Sequence, residues 1–486
     1  MLTYDLKKDS HTSLYEDLYQ RIKKDILSGT LSPGEPLPSK RAFAKHLSVS
    51  TITIENAYAQ LYAEGLIYSI PRSGFYVTDL SMHRGAYLSP DTERSKPNQT
   101  KEPSTPQKKE TYFADFAGNE ITPDLFPFAT WARISRNVLS MQQEELLTNP
   151  PAKGVYSLRE AIAGHLLAFR DIHVDPAQIV IGAGTEYLYT VLLRLIGTHG
   201  IYGVEDPGYA RFTDVCNSFQ VPTVGIPLDP KGVRSDLTER SHVRALHLTP
   251  SHHFPTGITM PISRRMELLS LAKTSSTFQY LIEDDYDSEF RMSGRPIASL
   301  YSIDSGDSVI YLNTFTKSLA STIRISYMIL PRPLLEKFDA DPSLTTCPVS
   351  NFEQYTLAHF IAEGYFEKHL NRMRNHYRKK RNLLLKTIEE SPLGKITDIL
   401  EENSGLHFLL EIPDPKTDET TLIKNIRKAG IRVKTLNNYR QKKDLPPRKK
   451  HSPGKQITLL INYSSIRPEQ IPEAIERLYL GITQSP

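Results

Sequence analysis

From Ser13 to Ser28 apolar side chains recur at helical intervals, and the pattern stops at Gly29, which predicts a first helix. A turn follows through Pro33-Gly34 and Pro36. Ser39 then stands as the N-cap of a short helix reaching about Leu47. Ser50 caps a third helix through Glu64, and Gly65 stops it. Leu66–Ser69 and Gly74–Val77 read as two short strands around a Pro71-Arg72-Ser73-Gly74 tip. Three helices and a two-stranded wing make a winged helix-turn-helix, in which the third helix enters the major groove of DNA.

Residues 80–112 break this periodicity. Four prolines stand among Ser, Thr, Lys and Glu with few large apolar side chains, a composition that cannot form a core and predicts a flexible linker of about thirty residues. From Tyr112 strands alternate with helices: Gln178–Ile181, a helix from Thr185, Gly200–Val204, Arg244–Leu248, a helix from Ser263, Phe278–Glu283 and Val309–Asn313. Such alternation predicts a mostly parallel sheet covered by helices. Residues 352–390 read as one long charged helix. Leu406–Ile412, Thr421–Ala429, Gln456–Asn462 and Ile471–Leu480 then predict a smaller α/β lobe. The expected divisions are 1–79, 80–112, 113–345 and 346–486.

Composition adds limits. With 486 residues, 39% hydrophobic and 23% charged, the chain is an ordinary globular protein of several domains. Cys216 and Cys347 are the only cysteines, so neither a disulfide framework nor zinc-ligand spacing exists, and a reducing cytoplasm is expected. The first residues lack an apolar signal core, and Arg194 interrupts the richest apolar run, so no membrane span is expected. The net charge of +4 is mild, and residues 1–80 balance nine Lys/Arg against nine Asp/Glu. Seven basic residues lie in Arg440–Lys455 against Asp444; a solvated Pro-containing loop is the favoured reading, with a supplementary DNA-backbone contact as the lesser one.

Four features carry candidate chemistry. Tyr311-Leu312-Asn313-Thr314-Phe315-Thr316-Lys317, with Arg324 seven residues on, sends an apolar strand into hydroxyls, a lysine and an arginine. That set suits an aldehyde cofactor bearing a phosphate, with the lysine forming an imine and the rest holding the dianion. Tyr280–Tyr286 is a buried strand ending in acids, where Asp284 would keep a pyridine nitrogen protonated and Tyr286 would hydrogen-bond the ring's phenolic oxygen. Taken alone, acid clusters more often cap helices or face water. Gly182-Ala183-Gly184-Thr185-Glu186 is a glycine-rich turn opening a helix, suited to phosphate but by itself usually just a turn. In Glu205–Arg211, Tyr209 would stack on a flat ring and Arg211 would reach a ligand carboxylate; an aromatic packed under a loop explains the same residues equally well.

The order of phosphate turn, stacker, acid and lysine, with the last two 33 residues apart (317 − 284), resembles the fold-type I pyridoxal-phosphate (PLP) enzymes of the aspartate aminotransferase superfamily. Pro250-Ser251-His252-His253-Phe254-Pro255-Thr256-Gly257 is similar to that superfamily's Asn-Pro-x-Gly loop. With the winged helix in front, the whole chain outside the linker resembles the MocR/GabR subfamily of GntR-type bacterial regulators. Leu37–Arg41, Ala57-Tyr58-x-x-Leu61-x-x-Glu64-Gly65, Gly74-Phe75-x-Val77, Pro207-Gly208-Tyr209, Thr249–His252, Glu283–Phe290 and Arg324–Tyr327 carry the likeness. The resemblance implies a multidomain chain: an N-terminal α+β winged helix, then an α/β fold-type I large domain with a smaller C-terminal α/β domain. It implies Lys317 as the imine-forming lysine, Asp284 as ring-nitrogen partner, Tyr286 at the phenolic oxygen and Tyr209 as stacker. Gly184, Thr185, Thr314, Thr316 and Arg324 would hold the phosphate. A head-to-tail homodimer, a double-stranded DNA operator and an amino compound or B6 vitamer as effector are likewise implied, with no metal.

Three departures bear on function. Phe254 stands where a working aminotransferase has asparagine, so an amide donor to the phenolic oxygen is missing. Ser465, two residues after Tyr463, stands where the resembling regulators have an arginine that clamps a ligand carboxylate, leaving Arg211 as the remaining anchor. The third helix begins Ser50-Thr51-Ile52-Thr53-Ile54-Glu55 instead of Ser-Arg and has no Lys or Arg between Ser50 and Tyr68. Ser39, Ser50, Thr51, Thr53 and Gly74 are then the polar and backbone DNA contacts, with Lys40, Arg41 and Arg72 left for phosphates, while Ile52, Ala57, Leu61 and Leu66 are expected to pack inward. Phe254 and Ser465 favour a sensor over an enzyme. A catalytically active PLP-dependent aminotransferase with an accessory DNA-binding domain is the rival reading.

Overall fold

The computed structural model describes residues 2–6, 13–80, 112–118, 123–291, 297–305, 307–403, 405–441 and 456–483. The expected linker and nearly all of the basic stretch 440–455 lie outside the described residues. Those described fall into two compact units, dividing between residues 110 and 111.

In the first unit, α1 (Leu14–Ser28), α2 (Lys40–Leu47) and α3 (Thr51–Ala63) precede strands β1 (Ile67–Ile70) and β2 (Gly74–Val77). Gly29 closes α1 in the left-handed region (φ 81°), which glycine adopts without a Cβ clash. The Ser39 hydroxyl accepts from the Ala42 amide at 3.3 Å and the Ser50 hydroxyl from the Thr53 amide at 3.1 Å, so both helices start where the sequence predicts. Leu18, Ile22, Phe43, Ile54, Tyr58, Leu61 and Val77 fill the core. The strands pair antiparallel from Ile67↔Val77 to Ile70↔Gly74. Ile52 departs from expectation: it is 67% exposed. Ile54, two residues on, takes the inward position, and two residues are more than half a helical turn.

In the second unit, β3 (Ala114–Asp115) precedes an eight-stranded sheet of β4 (Ile179–Gly182), β5 (Ile201–Asp206), β6 (Thr223–Asp229), β7 (Gly232–Val233), β8 (Val243–Leu248), β9 (Tyr280–Asp284), β10 (Val309–Thr314) and β11 (Ser326–Ile329). The order is β4-β11-β10-β9-β8-β5-β6-β7. Strands β10, β9, β8, β5 and β6 run parallel, while β11 lies antiparallel between β10 and β4. The smaller lobe holds β12 (Asp398–Leu400), β13 (His407–Ile412), β14 (Ile431–Arg432), β15 (Lys434–Thr435) and β16 (Ile457–Asn462). Its four-stranded sheet is β12-β13-β16-β15, and β14 pairs in parallel with β3. Phe116, just past β3, joins this lobe's core with Phe408, Leu459 and Leu478.

The long helix expected over 352–390 is two helices, Asn351–Ala362 and Tyr365–Glu390. Gly364 sits between them at φ 73°, a conformation that ends one helix before the next begins. Among the described residues no helix is long and apolar enough to cross a membrane.

Candidate cofactor cleft and DNA-contacting face

Strand direction assembles the site. Because β11 is antiparallel to both β4 and β10, β4 runs the same way as β5, β8, β9 and β10, and the C-terminal ends of all five meet at one sheet edge. Ligands bind at that edge of α/β sheets. The loops after these strands bring Thr185, Tyr209, Thr249, Phe254, Asp284, Tyr286, Thr314, Thr316, Lys317 and Arg324 round one cleft, and Leu406, His407 and Asn462 of the smaller lobe line it from across.

One end of the cleft is an anion cradle. Gly184, with φ 89°, is the N-cap of the helix Thr185–Ile196, whose first amides point into the cleft with the positive end of the helix dipole. A Cβ at Gly184 would lie 2.3 Å from an Arg324 guanidinium nitrogen, so the backbone must be bare for the arginine to lie across it. Arg324 donates to the Ala183 carbonyl at 3.3 Å, and Thr314 and Thr316 join hydroxyls at 2.8 Å beside it. Ser326 on β11 donates to the Thr314 hydroxyl at 2.8 Å and fixes its rotamer.

The other end is built for a ring. Asp284, the last residue of β9, takes a hydrogen bond from the Tyr189 hydroxyl at 2.6 Å on Oδ2, with His247 Nε2 3.6 Å from the same oxygen. Its Oδ1 is buried without a hydrogen-bond partner in the protein. A buried carboxylate oxygen left so is costly unless a ligand proton meets it. Tyr286 and Tyr209 line the cleft as expected. Phe254 stands edge-on to both, with ring centroids 6.2 and 6.1 Å away, and edge-on to His407 and Tyr439 as well. It offers no hydrogen-bond donor. Lys317 follows β10 by three residues. Burial lowers its ammonium to about 8, opposed by the nearby Asp287 carboxylate. A PLP-type group fits these residues: a phosphate cradle that a Cβ would fill, an amine tuned toward neutrality and an orphaned carboxylate oxygen.

The acid string 283–289 divides its work. Glu283 accepts the Leu300 and Tyr301 amides at 2.8 and 2.9 Å, Asp285 pairs with buried Arg170 at 2.7 Å, Asp287 meets His252 at 3.1 Å, and Glu289 accepts from Asn313 at 3.2 Å. Asp284, Asp285 and Glu289 each keep one buried oxygen without a partner, and of the three only Asp284 lines the cleft. Tyr189 and His247 behind it, and His407 across the cleft, escaped the sequence reading. Tyr189 falls one helical turn after Thr185, and His247 interrupts an apolar strand, so both left a signal; His407 comes from a separate lobe and left none.

Arg211 does not line the cleft. It opens the helix Ala210–Ser218, where its exposed guanidinium lies 3.6 Å from Glu186 and 3.9 Å from Asp214. Ser465 donates to the Asp115 carbonyl at 2.8 Å.

On the winged helix, Arg41, Thr51, Arg72 and Gly74 are exposed, and Arg72 and Gly74 hold the wing tip at φ 67° and 116°. Ser39 serves as a cap, and Ser50 and Thr53 join hydroxyls at 2.8 Å at the start of α3, so these groups order the helices as well as facing outward. Lys40 is only partly available: its amine bonds Glu55 at 2.6 Å, tying α2 to α3.

Comparison with known proteins matches both units. Residues 14–77 match the family model of bacterial regulatory proteins of the gntR family, and residues 115–478 that of aminotransferase class I and II. The uncharacterized HTH-type transcriptional regulator YdeL of Bacillus subtilis (strain 168) is 36% identical over 98% of each chain. The probable rhizopine catabolism regulatory protein MocR of Rhizobium meliloti is 29% identical over 97% of this chain and 94% of its own. Among solved structures, kynurenine aminotransferase of Pyrococcus horikoshii in complex with PMP is 26% identical with a TM-score of 0.66, over 77% of this chain and 91% of its own.

Proposed function

We propose a function on one premise: the chain belongs to the MocR/GabR subfamily of GntR-type transcriptional regulators. It is a PLP-binding, DNA-binding regulator whose aminotransferase-like body senses a small amino compound or a B6 vitamer. Working in the cytoplasm as a head-to-tail homodimer, it presents two winged helices to two half-sites of one operator. The observation that carries this reading is the cleft itself, where Lys317, the spare oxygen of Asp284 and the Gly184–Arg324 cradle converge in a chain that also carries a winged helix.

When bound, PLP supplies an electrophilic carbonyl and an electron-withdrawing ring. Thr185, Thr314, Thr316 and Arg324 would hold its phosphate end. Asp284, positioned by the Tyr189 hydroxyl, would hold a proton at the ring nitrogen. Tyr209 would pack on the ring and Tyr286 would meet its phenolic oxygen, while Lys317 offers an amine that burial keeps partly neutral. Phe254 supplies no donor beside Tyr286, and Arg211 lies outside the cleft, paired with Glu186. Both features fit recognition better than turnover. The intact Lys317–Asp284 pair keeps the rival alive: a working aminotransferase with an accessory DNA-binding domain.

The test uses the purified full chain and DNA fragments selected from its own genome. Their affinity is measured with PLP, then with amino acids, amines and B6 vitamers added, for the wild type and Lys317→Ala. A ligand-dependent change in affinity that Lys317→Ala abolishes is expected. Sustained multiple-turnover transamination with unchanged DNA affinity would favour the rival.

A further inference from the structure

Helix α3 carries an outward stripe without a cation. Ile54, Ala57, Tyr58 and Leu61 are buried and fix the inward face. At 3.6 residues per turn the opposite side runs through Ile52, Asn56, Ala59 and Ala63, all exposed. A branched hydrocarbon left 67% exposed at position 52 contributes little to the module's own packing. Thr51 beside it is exposed, while the other polar neighbours are engaged within the module. Ser50 caps the helix and bonds the Thr53 hydroxyl, Glu55 holds Lys40 at 2.6 Å, and the Gln60 amide donates to Glu64 at 3.0 Å.

We propose that α3 reads A·T base pairs, Ile52 packing on a thymine 5-methyl group and Asn56, one turn on, bonding adenine through N6 and N7. This rests on the DNA-binding reading above and names the bases that the helix selects. Thymine alone presents a methyl group in the major groove, and a carboxamide matches the donor–acceptor pair of adenine. Guanine's two acceptors call for Arg or Lys, which α3 lacks. Glu55, the side chain suited to cytosine's amino group, is engaged by Lys40. Ala59 and Ala63 add no bulk, so the helix can lie close to the groove floor.

The test selects duplexes from a random library with the full-length, PLP-loaded chain. In a selected half-site each thymine is replaced in turn by uracil, which lacks only the methyl, and each adenine by 7-deazaadenine, which lacks N7. One uracil replacement is expected to weaken wild-type binding about fivefold and one 7-deaza replacement about tenfold. The first effect vanishes in Ile52→Ala and largely survives in Ile52→Val; the second vanishes in Asn56→Ala. Unchanged thermal unfolding of the variants shows that the fold is kept. Half-sites whose shared pairs are all G·C, or an affinity indifferent to every such replacement, would overturn the base assignment and leave DNA binding standing. Selection of no duplex at all would defeat both.

Discussion

Lys317 is the residue on which the chemistry turns. An amine attacks a carbonyl only when neutral, and burial lowers this one to about 8. Below that pH the ammonium form dominates, so the rate of PLP uptake by cofactor-free protein is expected to climb about tenfold per unit toward pH 8 and flatten above it. Asp287 favours the ammonium, so Asp287→Asn should move the rise to lower pH; a stopped-flow series of visible absorbance checks both. Asp284→Asn removes the charge that meets the ring nitrogen and should weaken PLP binding by at least about tenfold, read by equilibrium dialysis. Arg170 offers a contrast, since its partner Asp285 is buried and lies off the cleft. Arg170→Met leaves that buried carboxylate without its cation, held by the Tyr311 hydroxyl at 2.7 Å, and should cost ~3–5 kcal/mol in denaturant unfolding. The sequence shows that strand β9 ends near Asp284, which with Asp287 is one of the two acids of the five that line the cleft. It could not show where the other four point, since their partners come from Arg170, His252, Asn313 and the helix at 300.

At the scale of elements, glycine geometry decides what the helices can do. Gly184 combines a positive φ with a guanidinium 2.3 Å from where its Cβ would be. Gly184→Ala is therefore expected to displace Arg324 and weaken PLP binding while leaving the fold in place, as circular dichroism alongside a PLP titration would show. Gly364 has open space around a hypothetical Cβ, so only its φ of 73° matters. Gly364→Ala should destabilise by roughly 1–2 kcal/mol without touching the cofactor, measured by thermal unfolding. The winged helix was legible almost to the residue, because its caps, stops and core spacing are local signals. Strand β11 was not, since its place in the sheet depends on pairing with β4, well over a hundred residues earlier in the chain, as well as with β10. The break at Gly364 was missed because charged helical periodicity continues on both sides of it. Ile52 is exposed because Ile54, Ala57, Tyr58 and Leu61 set the inward face, which hydrophobicity alone does not decide.

For the whole molecule, the parts divide sensing from reading. The winged helix balances its charges and lacks a basic recognition helix, so one copy should hold DNA weakly and two half-sites should be needed together. Compared by gel shift, paired half-sites should bind at least about a hundredfold more tightly than a single half-site. The smaller lobe contributes His407 and Asn462 to the cleft, which no spacing in the sequence foretold. The cleft's lining therefore depends on side chains that tertiary folding alone brings together. The most direct test reduces the PLP-loaded chain with borohydride, digests it and maps the pyridoxyl mass by tandem mass spectrometry. The expected result is a single labelled peptide carrying the group on Lys317. A labelled lysine elsewhere with Lys317 unmodified, or no labelled peptide from saturated protein, would contradict it.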